Sequence, residues 1–312
     1  MATANVSRHE KQNNSTTFEQ FLCSSDLSGE IHGQLIFISA LNAFLSITAF
    51  LGNTWVLIAL RKESSLHTPS KVLLGNLATT DLCVGLISEP LYVTLLVTIS
   101  QEHWNICLYL LDPVIVSSTI LCGVSLLTLT AISVDRLLAL LLRLNYRQVV
   151  TLKRINLVVA TCWVVSIVSS SMRFYSDPTI SLGYAGIVVP LCLLTSIFCY
   201  TKIFVTLRHH HHQVQNQVQQ LNQTNQLNIG RYRKAVFTAL WLQFTLVACY
   251  LPQVIPVALF IHSEPSSSLA LAWSYIFTLV FLNSSLNPII YSWKIEEVRQ
   301  AVKDTIRQLL CC

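Results

Sequence analysis

Long apolar stretches separated by short polar connections dominate the chain after its first 33 residues. Seven stretches each hold about 20 mostly apolar residues, the length that an α-helix needs to cross the hydrocarbon of a membrane. They occupy residues 34–60, 71–97, 107–140, 155–172, 181–207, 234–261 and 269–292. An amphipathic eighth segment runs from Lys294 to Leu310. The pattern predicts an all-α membrane protein, a seven-transmembrane helix bundle with an amphipathic eighth helix.

Composition supports this prediction. Of the 312 residues, 53% are hydrophobic and only 11% are charged, whereas a soluble domain carries roughly 25% charged residues. So few charges cannot cover a water-facing surface, and much of the surface must face lipid. The net charge of +5 does not indicate a nucleic-acid partner, because the basic residues form short clusters between apolar stretches.

The distribution of basic residues predicts the orientation. If the N-terminus is extracellular, only Arg8, Lys11 and Arg173 of the 20 Lys and Arg lie outside. Cytoplasmic connections collect Lys and Arg, so we expect a multi-pass protein of the plasma membrane with its C-terminus inside. The predicted parts are an extracellular tail (1–33), a transmembrane domain (34–293) with a cytoplasmic third loop at about 208–231, and a C-terminal segment (294–312).

Sequons in the N-terminal tail agree with an extracellular location. Asn5, Asn13 and Asn14 each begin a glycosylation sequon, although such sequons also arise by chance in a tail rich in Asn, Ser and Thr. The tail lacks the basic, apolar and small-residue succession of a signal peptide, and no cleavable signal is expected.

Polar residues inside four of the apolar segments are the first candidates for function. Asp81 lies near the middle of the second segment, and Asn53, Ser125, Asn283 and Asn287 lie in the first, third and seventh. A centred Asp costs roughly 2.5–3.5 kcal/mol on insertion scales. A hydrogen-bonded network that joins helices is one explanation. The carboxylate favours a cation or proton site, because an amide would join helices at a lower desolvation cost.

Two prolines and one acid–base pair are the second set of candidates. Pro288 follows Asn287, and Pro252 follows Tyr250 by two residues. Each proline removes a helix hydrogen bond beside a polar or aromatic residue, which favours hinges. At the inner end of the third segment, Asp135 and Arg136 either neutralise each other or form a switch in which the Arg changes partners.

These motifs, in this order on seven spans, resemble the rhodopsin-like, class A G-protein-coupled receptors over residues 34–312. The matching positions are Gly52-Asn53, Leu77-Ala78 with Asp81, Asp135-Arg136, Trp163, Tyr200 with Ile203, Pro252, and the NPxxY form at 287–291. The resemblance implies a receptor that binds an extracellular ligand and activates heterotrimeric G proteins by outward movement of helix six. It implies no catalysis and no cofactor.

The resemblance also assigns roles to individual residues. Asp81, Ser125, Asn283 and Asn287 would form a sodium pocket that favours the inactive state, with the sodium ion as an allosteric modulator.

At the inner end, Arg136 would leave Asp135 on activation and meet Tyr200, Tyr291 and the G protein, while Asn287 and Pro288 form the hinge of helix seven. The terminal pair Cys311 and Cys312 would be palmitoylated and hold the eighth helix on the membrane lipids, with a free Cys pair as the alternative.

The ligand class is not identified by the sequence. Tyr250 occupies the place of the usual helix-six Trp at the base of the ligand pocket. Ser118 stands where amine receptors carry an Asp, and Phe281 where visual opsins carry the retinal lysine. Glu89 and Asp112, toward the outer ends of helices two and three, either meet a basic peptide or are interfacial carboxylates in water.

The sequence departs from the family pattern at several positions. Leu137 replaces the Tyr of the DRY motif, Tyr232 stands where many members place an acid facing Arg136, and Pro190 is two residues from the usual site. The second outer loop has no Cys, and Cys107 lies four residues early. Either Cys107 pairs with Cys23, the other outer thiol, or both stay free. These features resemble the melanocortin, cannabinoid, lysophospholipid and adenosine receptors.

A polytopic transporter is the main alternative. Transporters usually carry two structural repeats with substrate groups at mid-depth, and this chain has no repeat and one mid-membrane carboxylate. An intramembrane hydrolase is disfavoured because no His lies mid-membrane and no hydrolase motif occurs.

Overall fold

The computed structural model describes residues 21–24, 27–62, 67–142, 145–175, 178–218, 241, 243–255 and 266–294. Most of these residues are helical and none lies in a β-strand, which confirms the predicted all-α class. The predicted sites at Asn5, Asn13, Asn14, Cys311 and Cys312, Tyr232, the third loop beyond residue 218 and the eighth segment lie outside this part of the chain.

Six described helices are long and apolar enough to cross a membrane. Helix one is Ser28–Lys62, helix two Thr68–Ser100, helix three Trp104–Leu142, helix four Leu152–Tyr175, helix five Pro178–Val218 and helix seven Ser267–Lys294. The sixth predicted segment, here called helix six, is described at residue 241 and over 243–255, where it tightens into a 3₁₀ turn, Leu251–Gln253. The helices extend beyond the predicted segments because hydropathy marks only their apolar part.

The two ends of the bundle are identified by helix three. Cys107 lies near its start and Asp135 near its end, a separation of roughly 40 Å at 1.5 Å per residue. We call these ends the disulfide end and the Asp135 end. Large apolar side chains such as Phe37, Phe44 and Phe198 point outward, as lipid contact requires.

A disulfide joins Cys23, in a short turn before helix one, to Cys107 in helix three, with their Cα atoms 5.8 Å apart. It ties the chain preceding helix one to the start of helix three across 84 residues of sequence. Of the two alternatives that the sequence left open for these cysteines, the structure has the paired one.

We expect Cys23→Ser, Cys107→Ser and the double variant to lose the same stability, because each removes the same covalent bond. Disulfide removal typically costs about 2–4 kcal/mol, and the thermal midpoint of the purified protein measures the loss. Cys83→Ser, at a free and half-buried cysteine, is the control and should change the midpoint far less. Additive losses from the two single variants would contradict the pairing.

Helix two contains a π-helical turn, Val84–Ser88, between two α-helical parts. Its carbonyl at Gly85 accepts a hydrogen bond from the Ser46 hydroxyl of helix one at 2.7 Å. Gly85 also permits the contact, since a Cβ there would lie 2.8 Å from the Ser46 carbonyl oxygen. The π turn, which the sequence did not predict, changes which residues beyond Ser88 face the interior.

Candidate functional site

The Asp81 carboxylate is the centre of a buried hydrogen-bond network that joins three helices. It accepts bonds from the Ser125 hydroxyl at 2.9 Å, the Ser284 hydroxyl at 2.8 Å and the Asn287 side-chain amide at 2.7 Å. Asp81 has no exposed surface. Helices two, three and seven are therefore held together through one carboxylate.

The network contains two of the three partners that the sequence grouped with Asp81. Ser125 and Asn287 donate to the carboxylate, but the buried Asn283 does not, and its side-chain nitrogen has no hydrogen-bond partner among the described residues. Ser284, which the sequence reasoning missed, takes that place. Residues that are three or four positions apart share a helix face. Ser284 lies three positions before Asn287, and this spacing could have identified it as a partner of Asp81.

Pro288 accounts for the contact between helices one and seven. A proline cannot donate to the carbonyl four residues earlier, which here is that of Ser284. The Asn53 side-chain amide donates to this free carbonyl at 3.1 Å. Gly52 makes room for the contact, because a Cβ at that position would lie 2.9 Å from the Pro288 ring.

At the Asp135 end, the expected pairing of Asp135 with Arg136 is absent. Asp135 is buried and accepts hydrogen bonds from Ser70 of helix two at 3.0 Å and from the Tyr146 hydroxyl at 2.7 Å. Arg136 is exposed. Successive helical residues point about 100° apart, so the acid faces helix two while the base points to the exposed surface of helix three.

Tyr146 belongs to a short helix, Tyr146–Val149, between helices three and four. Burial raises the pKa of its phenol, and the hydrogen bond to Asp135 raises it further. The phenol therefore stays protonated at neutral pH and keeps its role as a donor. The His67 ring packs against it, with centroids 5.2 Å apart.

Tyr200 of helix five is buried and packs in a small cluster near Arg136. The other buried members of the cluster are Leu137, Cys199 and Ile203. Leu137, which replaces the family's Tyr, thus contributes apolar packing. The backbone of Tyr291 lies within helix seven, and the structure does not describe its side chain.

Trp163 of helix four has a structural contact that explains its place among the motifs. Its indole N–H donates to the side-chain oxygen Oδ1 of Asn76 in helix two at 3.1 Å, and the side-chain amide of Asn76 donates to the Thr128 hydroxyl of helix three at 2.9 Å. One asparagine therefore connects three helices halfway along the bundle.

A cavity of about 110 Å³ lies among helices three to seven. Ser118, Tyr250 and Phe281, all predicted from the sequence, line it together with Ser166 of helix four. The hydroxyls of Ser118 and Ser166 have no hydrogen-bond partner among the described residues. Most of the other lining side chains are apolar, and the two hydroxyls are buried in the cavity wall. An apolar wall with a few polar groups is typical of small-molecule sites.

The other two predicted pocket residues lie elsewhere. Asp112 is exposed and forms an ion pair with Arg173 of helix four at 2.7 Å, so it is an interfacial carboxylate. Glu89 has no exposed surface, which excludes the interpretation that it faces water. It also lies outside the lining of the cavity.

The sequence matches the family described as "7 transmembrane receptor (rhodopsin family)" over residues 52–179 and 174–291. Melanocortin receptor 5 of Rattus norvegicus is 26% identical over 279 residues, covering 86% of this chain and 82% of the relative. Adenosine receptor A3 of Canis lupus familiaris is 26% identical over 297 residues, covering 86% of this chain and 90% of the relative.

A third similarity is shorter. Muscarinic acetylcholine receptor M3 of Rattus norvegicus is 26% identical over 198 residues, and the match covers 56% of this chain and only a third (33%) of the relative's length. The melanocortin and adenosine receptors are two of the groups that the sequence resembles. Because the family match extends over most of the helical bundle, this chain belongs to the rhodopsin family of seven-transmembrane receptors.

Proposed function

We propose that the protein binds an extracellular ligand in the cavity and activates heterotrimeric G proteins at the Asp135 end. Helix three carries this proposal, because it places Ser118 in the cavity, Ser125 on Asp81 and Arg136 at the far end. A shift of one helix would therefore affect all three places. The protein acts by a change of shape, without catalysis and without a cofactor.

Tyr250 links the cavity to helix six. It is fully buried, lines the cavity and donates a hydrogen bond to the Cys122 carbonyl of helix three at 3.4 Å. Pro252, two residues later, lies within the tightened 3₁₀ turn. A ligand that displaces Tyr250 favours the state in which helix six has moved outward, a population shift that requires tighter binding to that state.

Arg136 is the proposed contact for the G protein. Its exposure leaves the guanidinium available to an incoming carbonyl or carboxylate. Asp135, held by Ser70 and Tyr146, fixes the end of helix three. We propose that Tyr200, Tyr291 and the Asn287-Pro288 hinge complete this surface in the active state.

The orientation and the modifications belong to the same proposal. The disulfide end faces outward at the plasma membrane and the Asp135 end faces the cytoplasm, because disulfides form in oxidising compartments and Lys and Arg collect inside. Asn5, Asn13 and Asn14 carry glycans. Cys311 and Cys312 carry palmitoyl chains in the inner leaflet.

The proposed function also includes sodium binding at Asp81. The carboxylate, the Ser125 hydroxyl and the side-chain oxygen of Asn287 would provide oxygen ligands, and the side-chain oxygen of the buried Asn283 is a further candidate. We expect Asp81→Asn to abolish any dependence of agonist affinity on sodium, because the ion loses its negative ligand. Agonist competition curves in sodium and in N-methylglucamine buffers measure this. Asp112→Asn, at an exposed acid, is the control; persistence of the sodium effect in Asp81→Asn would contradict the site.

A ligand screen with reporters for several G proteins in one cell line tests the proposed function. A ligand should activate a reporter in cells that express the protein, and Ser118→Leu, which fills the cavity, should reduce its potency. Vesicle flux tests the transporter alternative: ligand flux without any G-protein response would favour it.

A further inference from the structure

The wall of the cavity carries no charged side chain among the described residues. Helices three to seven contribute to it, and its side chains are aliphatic or aromatic, or carry a hydroxyl, a thiol or an amide. The described part of the wall contains no Asp, Glu, Lys, Arg or His. A charged group that enters this cavity therefore loses its water without meeting an opposite charge, which is among the most costly transfers in a protein.

The buried acids of the described residues do not serve this cavity either. No residue of helix two lines it, which sets Asp81 and Glu89 apart from it. Asp81 also accepts three hydrogen bonds of its own. Asp135 lies eight residues beyond Leu127, the last wall residue of helix three, a distance of about 12 Å along the helix axis. A cationic ligand group would thus find no acid in the described wall.

Two hydroxyl groups of the wall have no hydrogen-bond partner among the described residues. They belong to Ser118 of helix three and Ser166 of helix four, and both side chains are buried. A Cβ built at Gly123, another wall residue, would lie 3.0 Å from the Ser166 Oγ, so this hydroxyl faces bare backbone. A buried hydroxyl without a partner is unfavourable. A ligand oxygen that accepts a hydrogen bond from either serine removes this cost.

The volume of the cavity sets the size of a suitable probe. It is about 110 Å³, and an engineered apolar cavity of about 150 Å³ in another protein holds one molecule of benzene. The cavity therefore has room for roughly one small ring. Cyclopentanol has as many non-hydrogen atoms as benzene and carries one hydroxyl.

We propose that the ligand group bound in this cavity is uncharged and largely apolar, with an oxygen that accepts a hydrogen bond from Ser118 or Ser166. The inference rests on the proposed function for the place of the ligand, and it adds the chemical class. It excludes an ammonium group, a carboxylate and a phosphate as the part of the ligand that enters the cavity.

The test compares four probes of similar size by the thermal midpoint of the purified full-length protein at neutral pH. Cyclopentanol is neutral and polar, methylcyclopentane is neutral and apolar, cyclopentylammonium is a cation and cyclobutanecarboxylate is an anion. We expect cyclopentanol to raise the midpoint. The two charged probes should bind at least about tenfold more weakly, because each would be buried as an unpaired ion.

Two variants locate the binding in the cavity. Ser118→Leu and Val188→Phe each place a larger side chain in the wall, and each should remove the increase in midpoint that cyclopentanol causes. An effect of a probe on the detergent would persist in both variants, so they also correct for it. Two positions keep the test valid if one variant folds poorly.

A third variant tests the hydrogen bond. The double variant Ser118→Ala/Ser166→Ala removes both hydroxyls without filling the cavity. Cyclopentanol should bind to it roughly two- to tenfold more weakly, whereas methylcyclopentane should bind as before. Ser171→Ala is the control, because Ser171 is outside the described wall and its hydroxyl donates to the Val168 carbonyl of its own helix at 2.8 Å.

Four outcomes of the probe experiment would each overturn the proposal. They are no increase in midpoint with cyclopentanol, an increase that survives both filling variants, equal binding of a charged probe, and equal loss of both neutral probes in the double serine variant. The ligand screen separates this failure from that of the proposed function. A charged agonist whose potency falls in Ser118→Leu would overturn the ligand class and support the cavity as the ligand site. An agonist with unchanged potency in both filling variants would overturn both.

Discussion

Arg136→Ala is expected to reduce G-protein activation strongly while the receptor still reaches the cell surface. Arg136 is exposed at the Asp135 end, and its neighbour Asp135 is held by Ser70 and Tyr146. Removing the guanidinium therefore leaves no buried acid unpaired, and the fold should persist. The loss of a charged hydrogen-bonding group costs roughly 1.5–3 kcal/mol, which corresponds to a fall of about 10- to 100-fold in coupling.

A cell-based G-protein reporter with surface labelling of the same cells measures both quantities. Arg61→Ala, at an exposed basic residue in the last turn of helix one, is the matched control and should signal normally. Arg136→Lys tests geometry, since an ammonium keeps the charge without the planar fork of donors. Normal coupling by Arg136→Ala at equal surface expression would refute the proposed role.

Gly85→Ala should destabilise the bundle strongly, whereas Gly75→Ala in the same helix should stabilise it. A Cβ at Gly85 would lie 2.8 Å from the Ser46 carbonyl oxygen and 2.9 Å from the Phe50 nitrogen, whereas one at Gly75 meets nothing within 4 Å. Backbone atoms cannot rotate away as a side chain can. Helices one and two must separate, which weakens the Ser46–Gly85 hydrogen bond.

The expected free-energy changes have opposite signs. Overpacking typically costs about 1–3 kcal/mol, and the lost hydrogen bond adds about 1 kcal/mol. At Gly75 the methyl group gains up to about 1 kcal/mol, because Gly is a poorer helix former than Ala. Thermal midpoints of the two purified variants measure the destabilisation at Gly85 and the stabilisation at Gly75. Equal shifts for the two variants would show that the π turn does not bring helices one and two into close contact.

The sequence was sufficient for the main features of the site because their signals are local in the chain. Asp81, Ser125 and Asn287 are conspicuous as polar residues within apolar segments, where the desolvation cost requires a partner. Pro288 is conspicuous because its missing N–H must free a carbonyl. Which residues form the hydrogen bonds depends on the rotation and separation of whole helices. Ser284 rather than Asn283 donates to Asp81, and Asn53 donates to the carbonyl that Pro288 leaves free.

Asp135 and Glu89 are two further residues whose surroundings the packing decided and the sequence did not. The chain places Asp135 beside Arg136, and proximity in sequence suggested an ion pair, yet helical rotation turns the two side chains to different neighbours. Glu89 lies toward the end of an apolar segment, and hydropathy suggested a water-facing acid. The π turn at Val84–Ser88 has no clear sequence signal, and it buries this acid.

By itself, the sequence determined the helical class, the number of apolar segments and the family resemblance, because apolar length and motif order are properties of the chain alone. Only the tertiary structure decided which polar groups meet. Hydrogen bonds such as those of Asp81 require atoms about 3 Å apart, and a rotation of one helix by a single residue, about 100°, exchanges one partner for another. The contacts that hold the bundle therefore depend on the packing of all its helices together.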